Sequence, residues 1–171
     1  GDPALINTAT NERLTLPDVT EDAHGSLLVY RGGDHTVSST TFVVMDFRDA
    51  TVAPITITLP DPGTGGYYTD VRLSGDWIGM TQHLPDGTMH PVLACFRTAA
   101  VKTGVENARF LALDDGIAVS VLTHTTTLQV WEFATGATQT LAASSTAVVV
   151  DGTRLAYTTA SGELAVADYA R

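Results

Sequence analysis

Polar and apolar positions alternate along this chain in short runs, and the runs recur. Arg13-Leu14-Thr15-Leu16, Pro54-Ile55-Thr56-Ile57-Thr58-Leu59-Pro60 and Leu128-Gln129-Val130-Trp131-Glu132-Phe133 all step with a period of two. That period marks a strand with one face buried. Denser apolar runs, such as Thr41-Phe42-Val43-Val44-Met45-Asp46-Phe47 and Val92-Leu93-Ala94-Cys95-Phe96, read as further apolar strands. No apolar period of 3.6 persists for three turns. Ala99 to Lys102 and Leu141 to Ser145 are short enough to be helix fragments, but Thr and β-branched content favours strands there.

The runs group into a repeat. Asp115-Gly116 followed by Ile117-Ala118-Val119-Ser120, then Leu128 to Phe133, is restated as Asp151-Gly152, Arg154-Leu155-Ala156-Tyr157 and Glu163 to Tyr169. Gly25, Gly75, Gly116 and Gly152 mark four copies. Periods of this size belong to stacked small sheets. An aromatic residue closes the third run of each copy: Phe47, Phe96, Phe133 and Tyr169. The units read as about 19–61, 67–106, 109–142 and 146–171, the last completed by residues 4–18. All lie in one domain, 1–171. Asp61-Pro62-Gly63-Thr64-Gly65-Gly66 is the clearest loop between units.

Four short strands per unit is how a β-propeller blade reads. On these residues the chain resembles the β-propeller repeat superfamily, with blades of the WD40 and TolB-like kind. Leu128 to Glu132 is similar to the WD strand, with Glu132 in the acid's place. Leu164-Ala165-Val166-Ala167-Asp168 keeps the acid and lacks the Trp. The Gly-His pair of WD40 units is replaced by His24-Gly25 in reverse order. The expected fold is all-β: a propeller of about four four-stranded blades. The last unit supplies three strands, and Glu12 to Leu16 reads as its missing outer strand. Two closures follow. The N-terminal strand completes the ring within one chain, or two chains exchange strands in a homodimer and form a larger propeller. The strand Ala4-Leu5-Ile6 duplicates one that the C-terminus already provides, as in a fragment of a longer propeller.

Charge narrows the partners. Nineteen acids against nine Lys and Arg give a formal net charge of −10. Such a surface repels phosphate backbones and anionic lipid, so neither nucleic acid nor membrane is an expected partner. Gly1-Asp2-Pro3-Ala4 lacks the basic start and apolar run of a signal peptide, and no apolar run approaches the ~18 residues of a membrane span. A soluble chain is expected, its compartment open. Cys95 is alone, which leaves no intrachain disulfide and no cysteine metal cage.

Candidate chemistry is sparse. No Gly-x-Ser-x-Gly elbow is present, and no Lys follows Gly63-Thr64-Gly65-Gly66 as a phosphate loop requires. Glu21, Asp22, Asp70, Asp114 and Asp115 sit in or just after the first strand of a unit. In a propeller that strand lines the channel, so these acids are the candidate metal set, with calcium the natural ion and no other cofactor expected. Asp115 is also a plain Asp-Gly turn residue. His83 and His90 flank the Asp86-Gly87 hairpin and could join Asp86 on zinc. Tyr67, Tyr68 and Trp77, with His83 and His90, are the candidate binding surface; inter-blade packing is their structural role.

The leading expectation is a non-catalytic binding scaffold whose loops recognise a protein or peptide. The competing one is a carbohydrate-active or other hydrolase- or lyase-type propeller using channel carboxylates, with calcium. A third is a propeller fragment that self-assembles into a closed ring.

Overall fold

The computed structural model describes residues 20–33, 38–49, 51–114, 116–133 and 135–169, together with the backbone of residues 4–6 and 13–15. Every element in them is a strand. β1 (Ala4–Ile6) and β2 (Arg13–Thr15) form a two-stranded pair. The first full sheet runs β3 (Thr20–His24), β4 (Leu27–Arg31), β5 (Thr41–Asp46) and β6 (Ile55–Thr58). The second runs β7 (Tyr67–Ser74), β8 (Trp77–His83), β9 (Met89–Cys95) and β10 (Ala100–Thr103). The third runs β11 (Ala108–Asp114), β12 (Ile117–Leu122), β13 (Leu128–Glu132) and β14 (Thr138–Leu141). The fourth has three strands, β15 (Ala143–Asp151), β16 (Arg154–Thr159) and β17 (Leu164–Asp168). Each sheet is an antiparallel meander in chain order. Both suspected helix fragments belong to strands or the turns beside them. Among the described residues no helix is long and apolar enough to cross a membrane.

The repeat has a backbone cause. The recurring glycine turns the first strand of a sheet into the second with positive φ, from +52° at Gly75 to +106° at Gly116, a region costly for other residues. The recurring aromatic then ties the third strand to that turn. The N–H groups of Phe47, Phe96, Phe133 and Tyr169 donate to the carbonyls of Ser26, Asp76, Gly116 and Thr153 at 2.9, 3.1, 2.8 and 2.9 Å. The same bond is made four times, so the sequence repeat is a repeat of structure.

Neighbouring sheets pack face to face in chain order, with the first strands β3, β7, β11 and β15 against one another. Three apolar layers hold them. Val29, Phe42, Val44, Ile57, Tyr68, Ile78 and Met80 fill the layer between the first and second sheets. Ile117, Val119, Leu128, Val130 and Leu155 fill the one between the third and fourth. The layer between the second and third is thinner: Leu93, Phe110 and Ala118, flanked by Trp77, Leu113, Trp131 and Phe133. Each such large side chain contributes ~1.5–3 kcal/mol on burial. Phe110 approaches so closely that a Cβ on Gly79 would lie 2.3 Å from its Cζ. Cys95 is a buried free thiol in this framework.

One expectation about the ends is corrected. The strand read as completing the last sheet, Arg13–Thr15, pairs instead with Ala4–Ile6, in the register Ala4↔Thr15, Leu5↔Leu14, Ile6↔Arg13. No ladder joins it to β17 among the described residues, and no closed ring is detected in them. A local hairpin closes a far shorter loop than a strand carried to the other end of the chain, and loop-closure entropy favours it. The last sheet also differs from the others. Val148, Val150, Leu155 and Tyr157 face the third sheet, whereas Val149, Leu164 and Val166 on the opposite face are 67%, 77% and 66% exposed.

Candidate binding surface

The first-strand acids engage the protein itself. Asp22 accepts the N–H of Leu73 from the neighbouring sheet at 2.8 Å. Asp114 accepts the Ser74 hydroxyl of the second sheet at 2.9 Å and the Gly152 N–H of the fourth at 2.8 Å. Glu21 pairs with Arg31, whose guanidinium is buried, lies over the Phe42 ring and donates to the Tyr68 carbonyl at 2.7 Å. Asp70 sits at a bulge of β7 with φ +56°, accepting the hydroxyls of Thr81 at 2.8 Å and Thr69 at 3.3 Å. Asp115 lies outside the described residues. Among the described residues, no three His, Cys, Asp or Glu side chains are grouped as ligands for one ion.

The five surface candidates separate. Tyr68 is fully buried. Its hydroxyl donates to the Pro60 carbonyl at 2.7 Å and accepts from the Gln82 amide at 3.0 Å. Burial pushes its pKa up to about 12, against the opposing hydrogen bond from Gln82. Tyr67 and His83 are a cross-strand pair, stacked at 4.4 Å and 9°. His83 Nε2 lies 2.9 Å from the Thr69 hydroxyl. Trp77 stands at the other end of β8, 4.9 Å from Phe133, with Lys102 Nζ 5.5 Å from its ring centroid. The zinc pairing of His83 with His90 fails on register. His83 is opposite Met89 and His90 opposite Gln82, so the two rings leave opposite faces of the sheet.

A concavity also lies at residues that the sequence pattern did not single out. Where the thin layer between the second and third sheets runs out, a cleft of about 270 Å³ opens at the outer rim. Its walls are Pro91, Thr103, Gly104 and Val105 from one sheet and Ser120, Gln129, Trp131 and Thr138 from the next. The ladder explains the third-sheet wall. Ala118, Trp131 and Thr138 form one cross-strand row and Ser120, Gln129 and Thr140 the adjacent one, all on the same face. The Gly104 N–H donates to the Pro91 carbonyl at 2.7 Å and holds the opposite lip. The walls carry four neutral hydrogen-bonding side chains, one large aromatic and no charge. Ser120, only 7% exposed, is the most buried polar residue of these walls. The available signal was a serine inside Ile117-Ala118-Val119-Ser120-Val121-Leu122, an otherwise apolar run.

No protein-family model matches this sequence, and no curated protein matches it.

Proposed function

We propose that this chain is a non-catalytic recognition module of β-propeller type, whose sheets act as blades and whose rim cleft receives a protein or peptide. The observation that carries the reading is the cleft: a concave, charge-free pocket with a half-buried Trp131 and a mostly buried Ser120, set between two packed sheets. Ligand sites combine apolar walls with a few placed polar groups, and they favour junctions between packed units. The carboxylate-based hydrolase reading draws no comparable support, because the four described acids of that set are engaged in bonds within and between sheets. A random dodecapeptide display library panned against the immobilised chain tests the proposal. Enrichment of peptides that bind the wild type and lose binding to Trp131→Ala supports it; absence of enriched binders overturns it.

A second reading, self-assembly, is favoured by one observation. The last sheet leaves Val149, Leu164 and Val166 together on an open face. A second copy covering that face would extend the stack of sheets.

A further inference from the structure

We infer that the partner of the rim cleft is an extended peptide that adds as a fifth strand to β14 and lodges one uncharged side chain in the cleft. This rests on the recognition reading above and names its ligand.

The first line of evidence is the edge. β14 ends the third sheet. The Glu132 N–H bonds to the Ala137 carbonyl at 2.9 Å, and the register continues as Trp131↔Thr138, Val130↔Gln139 and Gln129↔Thr140. Antiparallel pairs alternate between bonded and non-bonded, so Gln139 directs its backbone groups to β13 while Thr138 and Thr140 direct theirs outward. Natural edges are blunted by charge, proline or bulges. β6 is flanked by Pro54 and Pro60, and β10 carries Lys102. β14 reads Thr-Gln-Thr-Leu, with none of these devices and no break in register.

The second line is the cleft's position. Thr138 and Thr140 share a sheet face with Ser120, Gln129 and Trp131. An added strand places alternate side chains on that same face. The residue opposite Thr138 or Thr140 therefore enters the space between Trp131 and the Gly104–Val105 lip. The edge supplies main-chain affinity and the pocket selects the side chain.

Charge sets the composition. The walls hold no ion partner, so a charged side chain entering there would be desolvated without compensation. Outside the cleft the chain carries a net charge of −10, which favours basic residues flanking the inserted one. The ligand class is an extended segment with an uncharged residue at its centre and Lys or Arg on either side.

The test uses the enriched peptides of the display selection, synthesised with blocked ends. Bound peptide is expected to slow amide exchange at Thr138 and Thr140. Replacing its central residue by Glu is expected to weaken binding at least tenfold. Thr140→Pro removes an outward N–H at an edge position that tolerates proline, and should weaken binding at least tenfold with an unchanged melting temperature. Should that variant fail to fold, N-methylating alternate amides of the peptide blocks strand pairing with the protein untouched, and one of the two methylation phases should abolish binding. Peptides that bind but ignore Thr140→Pro and both methylation phases overturn strand addition while leaving the recognition reading in place. A selection that yields no binder overturns both.

Discussion

The carboxylate of Asp114 receives the backbone N–H of Gly152 at 2.8 Å, and with its other oxygen takes the Ser74 hydroxyl at 2.9 Å. One side chain thereby bolts the third sheet to the second and the fourth. Asp114→Ala leaves two donors without their acceptor, and the loss is expected to be about 2 kcal/mol. For a chain of this size that is roughly 4–8 °C in Tm. Asp114→Asn keeps one acceptor oxygen and should lose about half as much. Calcium and EDTA are expected to leave the Tm of wild type and variants unchanged, because an ion that bound the native state would raise it. A calcium-dependent rise in wild type that vanishes in Asp114→Ala would return the acids to a metal-binding role.

The seam beside the cleft is set by Gly79 and Phe110. A Cβ at position 79 would lie 2.3 to 3.0 Å from three ring atoms of Phe110. Gly79→Ala is expected to destabilise by about 1–3 kcal/mol, the usual range for overpacking. Phe110→Leu alone removes ring volume from a small apolar layer and costs a similar amount. Together they relieve one another, so the double variant should be less destabilised than the sum of the singles. Chemical denaturation of the three variants measures this, and strict additivity would show that the contact is not what fixes the seam.

Strand order and repeat phase were legible before the structure, because alternation and the recurring glycine act locally. Gly25, Gly75, Gly116 and Gly152 mark turns whose backbone demands glycine, and the aromatics that follow make the same bond in all four sheets. The separation of His83 from His90 was legible too, had the hairpin register been counted. The cleft was not, since it exists only where two sheets fail to meet along their outer strands, and nothing in either strand states how far its neighbour reaches. The acids are ambiguous for a related reason. A carboxylate in a first strand looks the same whether its oxygens serve an ion or the next sheet's N–H groups. Assigning residues 12–16 to the last sheet overlooked Ala4–Ile6 as the nearer partner.

His83 makes stability depend on pH. Its pKa is held below the usual 6.5, chiefly by burial, with the Asp70 carboxylate pulling the other way. The folded state therefore takes up a proton less readily than the unfolded chain. Below about pH 6.5 the unfolded chain binds more protons, so stability declines as pH falls from there toward the folded pKa. His83→Gln removes this term. Thermal unfolding at pH 7.5 and pH 5.0 is expected to show a larger drop for wild type than for His83→Gln. Equal drops would mean that the ring is as free to protonate in the folded protein as in the unfolded one.

The last sheet bears on how the chain behaves at high concentration. Val149, Ala156 and Val166 form one cross-strand row, and Leu164 lies on the same face opposite Thr158. The apolar faces between consecutive sheets are packed. Here two valines and a leucine are 66–77% exposed, beside β17, which among the described residues is an edge strand. Apolar surface of this kind associates, because covering it removes it from water. Light scattering of wild type is therefore expected to show a mass that rises with concentration. Leu164→Lys with Val166→Lys should hold the mass at that of one chain. The pair should cost little stability, since neither side chain is packed in the monomer. Peptide binding at the rim cleft, which belongs to the second and third sheets, should survive the change. A wild type that stays monomeric across the range would remove self-assembly as a reading of that face, and a loss of peptide binding in the lysine pair would tie the two surfaces together.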